Sequence, residues 1–253
     1  MATIAIGDIH GWREPLDDLL AAIRPRLSAD DTVVFLGDYI DRGDDTQGCV
    51  DAVLAFRDSV PARVVCLVGN HEEWLLKTMF DYRRHSWLLG MEGFTTVRSY
   101  SAAAEHALRA AAEDAGANLY QGSITLPYEA FFAAMPASHR EFFESLNRYH
   151  ESADCICAHA GLDPAIADLH QQERALTWGH ARFPEDYSGD PYVVYGHFNN
   201  PRVDQNGWPW PRQVGRTIGL DTISHGVLTA VALPGPEIVQ SARYDFAVRG
   251  RTI

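Results

Sequence analysis

Acidic, amide and imidazole side chains follow short apolar segments at several points along this chain. Five apolar runs each end in residues that can bind a metal ion, namely Asp8 with His10, Asp38, Asn70 with His71, His159, and His197. In four of these five cases a glycine directly precedes the first such residue, which lets the backbone turn tightly and approach a buried ion. A lone histidine after a strand is more often a capped or surface-turn residue than a metal ligand. Five coincidences in one chain favour a shared metal site.

The donor set mixes carboxylates, a carboxamide oxygen and imidazoles, which suits divalent transition metals better than calcium. Two ions about 3.5–4 Å apart can share one carboxylate and one water, whose pKa then falls from about 15.7 toward 7. We expect Mn²⁺, with Fe, Zn, Co and Ni as alternatives. Asp38 would bridge the ions, with Asp8 and His10 completing the first site and Asn70, His159 and His197 the second.

The elements that position these residues begin as an alternating α/β pattern. Residues 2–6, 32–36 and 63–68 predict strands, because they are short apolar runs rich in β-branched residues. Between them lie a helix opened by Pro15 and ended by Pro25 and a second helix over residues 47–57. The order strand–helix–strand–helix–strand predicts that the chain begins as a doubly wound α/β fold. In such folds ligands bind at the carboxyl ends of the strands.

The later part of the chain changes character. Residues 73–150 predict several helices without β alternation, forming a helical insertion that is either a lid over the site or an ordinary layer on the sheet. Strands are predicted at 155–158 and 192–195, and antiparallel strands at 217–220, 226–233 and 237–242. We interpret residues 1–253 as a single domain with this insertion.

Composition limits the function classes. The chain has 253 residues, and 34 acids against 21 bases give a net charge of −13, which argues against a nucleic acid or an anionic membrane as partner. No apolar run approaches membrane-spanning length. The four cysteines form no Cys-x-x-Cys pair, which favours reduced, buried thiols and a cytoplasmic location. The oligomeric state stays open.

Three motifs give the chain a family resemblance. Gly-Asp-x-His-Gly at 7–11, Gly-Asp-x-x-Asp-Arg-Gly at 37–43 and Gly-Asn-His-Glu at 69–72 resemble the signature of calcineurin-like metallophosphoesterases. They are similar in particular to the phosphoprotein phosphatase (PPP) branch and its bacterial serine/threonine phosphatases. His159-Ala-Gly and Gly196-His197 resemble the two later histidine motifs of that family. The resemblance implies two facing β-sheets flanked by helices, an α-β-β-α arrangement.

The resemblance also implies an activity and roles for residues. We expect a metal-dependent hydrolase of phosphomonoesters, acting on phosphorylated protein or small phosphoesters by in-line attack of a metal-bridging hydroxide. Arg42 would clamp the phosphoryl group, with Asn70 beside it, and His71 would be the general acid held by Asp41. The alternative for Asp41 and His71 is a merely structural hydrogen-bonded pair. Glu72 is interpreted as structural.

Some stretches depart from the family pattern. Bacterial members carry a further arginine two residues after a tryptophan; here His180 stands at that place and Arg182 lies two positions on. We expect Arg182 to be the second phosphate contact, with replacement by His180 or loss of the contact as alternatives. His225 stands either near the site or on a surface turn. Trp208 and Trp210 could stack on an aromatic leaving group or a base, or simply stiffen their loop.

Two rival functions remain at this point. The first is a symmetrical diadenosine tetraphosphate hydrolase or another nucleotidase or phosphodiesterase of the same fold, which would share every metal ligand. The second is a non-catalytic metal-binding scaffold, which would be marked by lost ligands, and none is lost here.

Overall fold

The computed structural model describes residues 1–121 and 123–245. Its β-strands are β1 (Thr3–Ile6), β2 (Thr32–Phe35), β3 (Arg63–Cys66), β4 (Tyr149–Glu151), β5 (Cys155–Ala158), β6 (Tyr192–Tyr195), β7 (Arg202–Val203), β8 (Pro209–Trp210), β9 (Arg212–Val214), β10 (Thr217–Gly219), β11 (Thr229–Leu233) and β12 (Glu237–Gln240). Its α-helices are α1 (Arg13–Ile23), α2 (Thr46–Ser59), α3 (Asn70–Phe80), α4 (Ser86–Gly90), α5 (Gly93–Tyr100), α6 (Ala102–Ala115), α7 (Glu129–Ala134), α8 (Ala137–Glu144) and α9 (Glu173–Trp178).

Local sequence explains the first helices. In α1 the leucines and Ile23 recur at helical spacing and are buried, while Pro15 lies in the first turn, where its missing N–H costs no hydrogen bond. Asp45 caps α2, because its side chain accepts a hydrogen bond of 2.9 Å from the amide of Gly48. Both helices follow the predicted positions closely.

Two main sheets face each other. The first has the strand order β12-β11-β1-β2-β3 and the second β4-β5-β6-β10-β9, with a small separate pairing of β7 and β8. In the first sheet β1, β2 and β3 are parallel, so their carboxyl ends meet at one edge. In the second sheet β5, β6 and β10 are parallel as well. Both sheets therefore present parallel strand ends.

Three apolar clusters define the layers. One lies between the sheets and includes Ala5, Val34, Cys157 and Val194, all fully buried. A second joins the outer face of the first sheet to α1, α2 and the helices of the insertion. A third covers the outer face of the second sheet. The order helix, sheet, sheet, helix confirms the predicted α-β-β-α fold.

The stretch predicted as a helical insertion contains helices α3 to α8. Its last residues differ from the prediction, because Tyr149–Glu151 form β4, an edge strand antiparallel to β5. Buried residues of the insertion, such as Trp87, Leu108 and Phe131, belong to the same apolar cluster as α1 and α2. The insertion therefore shares a core with the first sheet. The single-domain assignment of residues 1–253 stays a prediction.

One strand differs in part from the prediction. Thr217–Gly219, expected to be antiparallel with the other C-terminal strands, forms β10, which is antiparallel to β9 but pairs parallel with β6 in the second sheet. β11 and β12 are antiparallel, as predicted. The β7–β8 pairing was not anticipated, since each strand has only two residues. Among the described residues, helices are too short or too polar to traverse a lipid bilayer.

Candidate metal centre

The residues that follow β1, β2, β3, β5 and β6 converge at the carboxyl ends of these strands. Asp38 lies at the centre, with its carboxylate oxygens 3.4 Å from Nε2 of His10 and 3.5 Å from Nε2 of His159. The backbone amide of His197 donates a hydrogen bond of 2.8 Å to Oδ2 of Asp8. Donor atoms that are far apart in sequence thus meet in one small volume.

The backbone around this centre is strained. The residues with positive φ and a side chain include His10 (48°), Asp38 (52°), Asp41 (71°), Arg42 (65°) and His197 (62°). Left-handed conformations cost energy in residues with a Cβ atom and concentrate at functional sites. The strain falls on the same residues that the sequence motifs single out.

Two glycines make the close approach possible. A Cβ atom on Gly69 would lie 2.0 Å from Oδ1 of Asp38, and one on Gly196 would lie 1.8 Å from Oδ1 of Asp8. Both distances are far below van der Waals contact, so any side chain there would displace a carboxylate. The glycines before Asn70 and His197 are therefore required for space.

Glu72 holds the loop that carries Asp38. Its carboxylate is fully buried and accepts hydrogen bonds from the backbone amides of Asp38 (2.9 Å) and Gly69 (3.0 Å) through Oε2. Its other oxygen accepts from the amides of Tyr39 (2.9 Å) and Ile40 (3.3 Å). Glu72 therefore fixes the loop after β2 to the start of α3, which agrees with a structural role.

Two groups of donor atoms could each hold a cation, and they share Asp38. The first group contains His10, Asp38 and His71, and the second contains Asp38, His159 and His197; within each group the donor atoms lie within 4.8 Å of one another. Donors bound to one ion at about 2.1 Å lie about 3.0–3.4 Å apart. The distances from the Asp38 carboxylate to Nε2 of His10 (3.4 Å) and of His159 (3.5 Å) are close to this spacing.

The histidine rings have the tautomer that a cation needs. Nδ1 of His10 lies 3.0 Å from the carbonyl oxygen of Ile40, and Nδ1 of His159 lies 3.0 Å from that of Leu36. A neutral imidazole carries one proton, so donation from Nδ1 leaves a lone pair on Nε2. These backbone carbonyls orient both rings in the way that typically supports metal-binding histidines.

Several polar atoms here lack a protein partner that suits them. Oδ1 of Asp8 and Nε2 of His10 are buried and have no hydrogen-bond partner among the described residues. Oδ1 of Asn70 lies 2.8 Å from Nε2 of His159 and 2.9 Å from Nδ1 of His197. With a lone pair on Nε2 of His159, two acceptors face each other, which is unfavourable without a cation between them. The residues therefore fit a metal centre.

The protonation states also suit cations. Burial lowers the pKa of His10, His159 and His197, the last to about 4, so these imidazoles are neutral near pH 7. Burial opposes ionisation of Asp38, but nearby imidazoles, first that of His159, hold the pKa of its carboxyl well below its usual range. Neutral imidazoles and an ionised carboxylate are the forms that bind metal.

His71 and Asp41 form a buried pair next to this centre. Nδ1 of His71 lies 2.7 Å from Oδ2 of Asp41, and Nε2 of His71 lies 3.8 Å from Oδ2 of Asp38. Burial lowers the pKa of His71, but the charges of Asp38 and Asp41 outweigh it and raise this pKa to about 9. His71 is therefore doubly protonated near neutral pH in the cation-free chain, with the Nε2 proton toward the centre. Unlike Nε2 of His10 in the same donor group, this Nε2 then has no lone pair for a cation, so His71 is not counted among the proposed ligands.

The two arginines predicted as phosphate contacts differ in position. Arg42 is half-buried, and its positive charge adds to the effect of burial in lowering the pKa of His10. Arg182 has a side chain 54% exposed, and its ion pairs are with Asp163 (3.7 Å) and Asp186 (3.8 Å). These ion pairs lie outside the group around Asp38, so a role for Arg182 at the phosphate stays a prediction.

The other candidate contacts make local interactions. His180 lies 3.7 Å from Asp163, and His225 is exposed on a short 3₁₀ helix. The indole of Trp208 donates to Gln240 (2.8 Å) and that of Trp210 to Asp204 (3.2 Å). Both tryptophans therefore fasten the β7–β8 segment, in agreement with the loop-stiffening alternative.

Asp221 is a residue of this centre that sequence reasoning missed. It is buried, and its Oδ1 has no hydrogen-bond partner in the part of the chain that the structure describes. Its charge adds to burial in raising the pKa of Asp8. Burial raises the pKa of Asp221 itself to about 7. Asp221 follows β10, which is parallel to β6. An apolar run that ends in a carboxylate is the signal that could have found this residue.

Comparisons with known proteins agree with this geometry. Residues 1–226 match the sequence model of the calcineurin-like phosphoesterase family. A bis(5'-nucleosyl)-tetraphosphatase, symmetrical, of Cellvibrio japonicus is 40% identical over 86 residues, which are 34% of this chain and 30% of that protein. A protein of the same name from Legionella pneumophila is 40% identical over 80 residues, 32% of this chain and 27% of its own length. The chain thus spans about a third or less of these curated relatives.

Solved structures show the same fold over nearly the whole chain. A crystal structure provisionally named a diadenosine tetraphosphatase has a TM-score of 0.61 and 21% identity, and the match covers 96% of this chain and 94% of that one. A cold-active protein-tyrosine phosphatase of a Shewanella species has a TM-score of 0.52 and 15% identity, covering 91% and 75%. The family is dinuclear metal-dependent. On its motifs, its fold and its match over residues 1–226, this chain belongs to the calcineurin-like phosphoesterase family.

Proposed function

We propose that this chain hydrolyses phosphate monoesters, phosphoserine and phosphothreonine among them, together with two divalent cations. One observation carries the proposal: Nε2 of His71 lies 3.8 Å from Oδ2 of Asp38, the carboxylate common to both donor groups. A proton donor therefore borders the place where a phosphoryl group would meet the cations.

The cations would be held by residues from five strand ends. Asp38 would serve both ions, with the remaining ligands divided between a first ion (Asp8, His10) and a second ion (Asn70, His159, His197). When bound, the pair supplies positive charge that lowers the pKa of water toward about 7 and offsets the charge of the phosphoryl oxygens. We infer Mn²⁺ as the resident metal from the mixed oxygen and nitrogen donors, which Fe, Zn, Co and Ni also fit.

The chain's own residues would orient the phosphoryl group and supply a proton. Arg42 would bind two phosphoryl oxygens through its planar guanidinium, which a lysine could not do, and Asn70 would lie beside them. Arg182 would add a second contact if its loop turned toward the centre. In this arrangement the bond from water oxygen to phosphorus forms as the ester bond opposite to it breaks.

His71 would protonate the leaving oxygen. Its Nδ1 proton is donated to Asp41, so the second proton, on Nε2, is available to the alkoxide, which then leaves as an alcohol. Asp41 keeps the ring in this orientation and favours its charged form. The pair is most useful for substrates with basic leaving groups, such as the alkoxide of a serine or threonine side chain.

A second candidate function is symmetrical hydrolysis of a dinucleoside tetraphosphate. The curated relatives that are 40% identical over 80 to 86 residues carry the name of this activity. Their matches cover about a third of this chain, so residues that select the substrate can differ. The leaving group of that reaction is a weakly basic phosphate, which gains little from protonation by His71.

Metal content and substrate preference test both candidates. The protein would be loaded with Mn²⁺, its metal measured by mass spectrometry, and its turnover compared on p-nitrophenyl phosphate, a phosphoserine peptide and diadenosine tetraphosphate. We expect two ions per chain and turnover of both monoesters. Release of two ADP molecules as the dominant reaction would favour the second candidate.

A matched pair of histidine variants provides the control. His10→Ala should remove an ion and most of the activity, whereas His106→Ala, an exposed histidine on α6, should change neither. An enzyme that stays fully active after exhaustive chelation, or one that hydrolyses none of the three substrates when loaded, would refute the proposed function.

A further inference from the structure

Two side chains of the helical insertion reach the carboxylate that holds His71. Trp87 lies on α4 and Thr96 on α5, and both are fully buried. The indole Nε1 of Trp87 donates to Oδ2 of Asp41 at 3.0 Å and to Oδ1 at 3.2 Å. The hydroxyl of Thr96 donates to Oδ1 at 2.6 Å. Asp41 is thus bound by elements that lie 46 and 55 residues further along the chain.

These contacts fix the rotation of the carboxylate. Oδ1 accepts the short bond from Thr96, and the indole N–H of Trp87 lies between the two oxygens, nearer to Oδ2. Oδ2 also faces Nδ1 of His71 at 2.7 Å. An ionised carboxylate has about four acceptor positions, and three partners use most of them here. The indole N–H can only donate, so it favours the charged form of Asp41 and not a protonated one.

The backbone of Asp41 is held by the same threonine. Its amide donates to Oγ1 of Thr96 at 2.9 Å, while its φ of 71° places it in the left-handed region. Such a conformation persists when the surroundings over-determine it. Thr96 therefore contacts Asp41 at both the main chain and the side chain. The hydroxyl of Thr96 also lies 3.2 Å from that of Thr46 on α2, which links the insertion to the rest of the first layer.

We propose that Trp87 and Thr96 are positioning residues that orient Asp41 and, through it, the ring of His71. The insertion then belongs to the apparatus that delivers a proton, in addition to covering the sheet. This inference rests on the proposed function only in assigning the proton to a leaving group. The orientation of His71 itself can be measured without any substrate.

The kinetic test uses substitutions that remove a hydrogen bond but keep the shape. Thr96→Val and Trp87→Phe should each lower kcat for phenyl phosphate, which has a basic leaving group, by roughly 10- to 100-fold. For p-nitrophenyl phosphate, whose leaving group needs little protonation, the decrease should stay within about threefold. Thr96→Ser should restore the rate, because it keeps the hydroxyl. Equal losses on both substrates would overturn the proposal.

A matched control and a double variant separate positioning from general damage. Thr95→Val makes the same change on the same helix, at an exposed hydroxyl that donates to the carbonyl of Glu92, and should leave both rates unchanged. In a chain that already carries His71→Asn, Thr96→Val should cause no further loss on phenyl phosphate. A further loss of tenfold or more would show that Thr96 acts independently of His71, against the proposal.

A spectroscopic test on the metal-free chain needs no turnover. The Nδ1 proton of His71, shielded from water by its bond to Asp41, should give a downfield NMR signal that is absent in His71→Asn. The signal should broaden or shift in Thr96→Val and Trp87→Phe and stay in place in Thr95→Val. An unchanged signal in both variants would refute the positioning role. If the signal responds but no monoester is hydrolysed, the proposed function fails while the positioning role stands.

Discussion

The strand ends and the helical insertion hold the reactive groups by different means. At the strand ends, the backbone carbonyl oxygens of Ile40 and Leu36 orient the rings of His10 and His159. In the insertion, an indole and a hydroxyl orient the carboxylate of Asp41 through side chains alone. Two of the rings that would bind cations are therefore oriented by backbone carbonyls of the strand ends, whereas the acid pair is oriented by side chains of the insertion.

This difference separates two kinds of failure. Damage at a strand end should remove cations, because a displaced backbone moves several ligands together. Damage in the insertion should leave cations bound and impair proton delivery. Substitutions in the two regions should therefore differ in metal content and in the dependence of rate on the leaving group.

The largest effect on activity is expected from Asp38→Asn, which neutralises the carboxylate shared by both donor groups at the strand ends. Loss of the charge common to both donor groups should reduce the metal content from two ions to less than one. Activity should fall by roughly 10⁵-fold, close to the contribution of the whole metal centre. Mass spectrometry of the metal and kcat/KM on p-nitrophenyl phosphate would measure this. Two retained ions would contradict the bridging role.

The second-largest effect on activity is expected from His71→Asn, which tests the pair of His71 and Asp41 and leaves the six proposed cation ligands in place. Turnover of phenyl phosphate should fall by roughly 10³-fold, the typical contribution of a general acid. Turnover of p-nitrophenyl phosphate should fall far less, and the metal content should stay at two ions. Equal loss on both substrates would mean that the pair with Asp41 is only structural.

A smaller effect is expected from Glu72→Gln, which loosens the strand ends without touching a proposed ligand. Glutamine offers one acceptor oxygen where the carboxylate serves four backbone amides. We expect the free energy of unfolding to fall by about 2–3 kcal/mol, the cost of leaving buried amides unpaired. Urea denaturation would measure it. The matched change at an exposed glutamate of α6, Glu113→Gln, should lie within about 0.5 kcal/mol of the parent.

The smallest effect is expected from Asp221→Asn, and it should have opposite signs with and without cations. Without cations, removing a buried charge near Asp8 should raise the free energy of unfolding by about 1 kcal/mol. With cations, the lost charge should weaken their binding by about tenfold. Thermal unfolding and calorimetric titration would measure both, with the exposed Asp30→Asn as the control. A loss of stability in both states would rule out this electrostatic role.

Sequence reasoning reached the strand-end residues because each motif lies within a few positions of an apolar run. Asp8, Asp38 and Asn70 directly follow glycines at the ends of parallel strands, and parallel strands share an edge. The structure brings all six proposed ligands together, although their binding of cations stays a prediction. The two-sheet fold, expected from the family resemblance, is confirmed.

Other features depended on pairings that local patterns do not encode. The parallel pairing of β10 with β6, which carries Asp221 to this edge, cannot be read from the run itself. Trp87 and Thr96 lie in helices whose periodicity marks them only as buried residues. Their contacts with Asp41 span 46 and 55 positions. The β7–β8 segment is too short for any periodicity, and the surroundings of Arg182 follow from loop geometry.

The sharing of Asp38 has a consequence for how the centre would load. One carboxylate divides its charge between neighbouring positions, so occupancy of either position alters the affinity of the other, and by reciprocity the two factors are equal. A calorimetric titration of the bare protein should therefore fit two unequal, coupled steps and not two identical ones. At limiting metal supply, singly loaded chains would accumulate, and the supply of the weaker-bound ion would then regulate the catalyst.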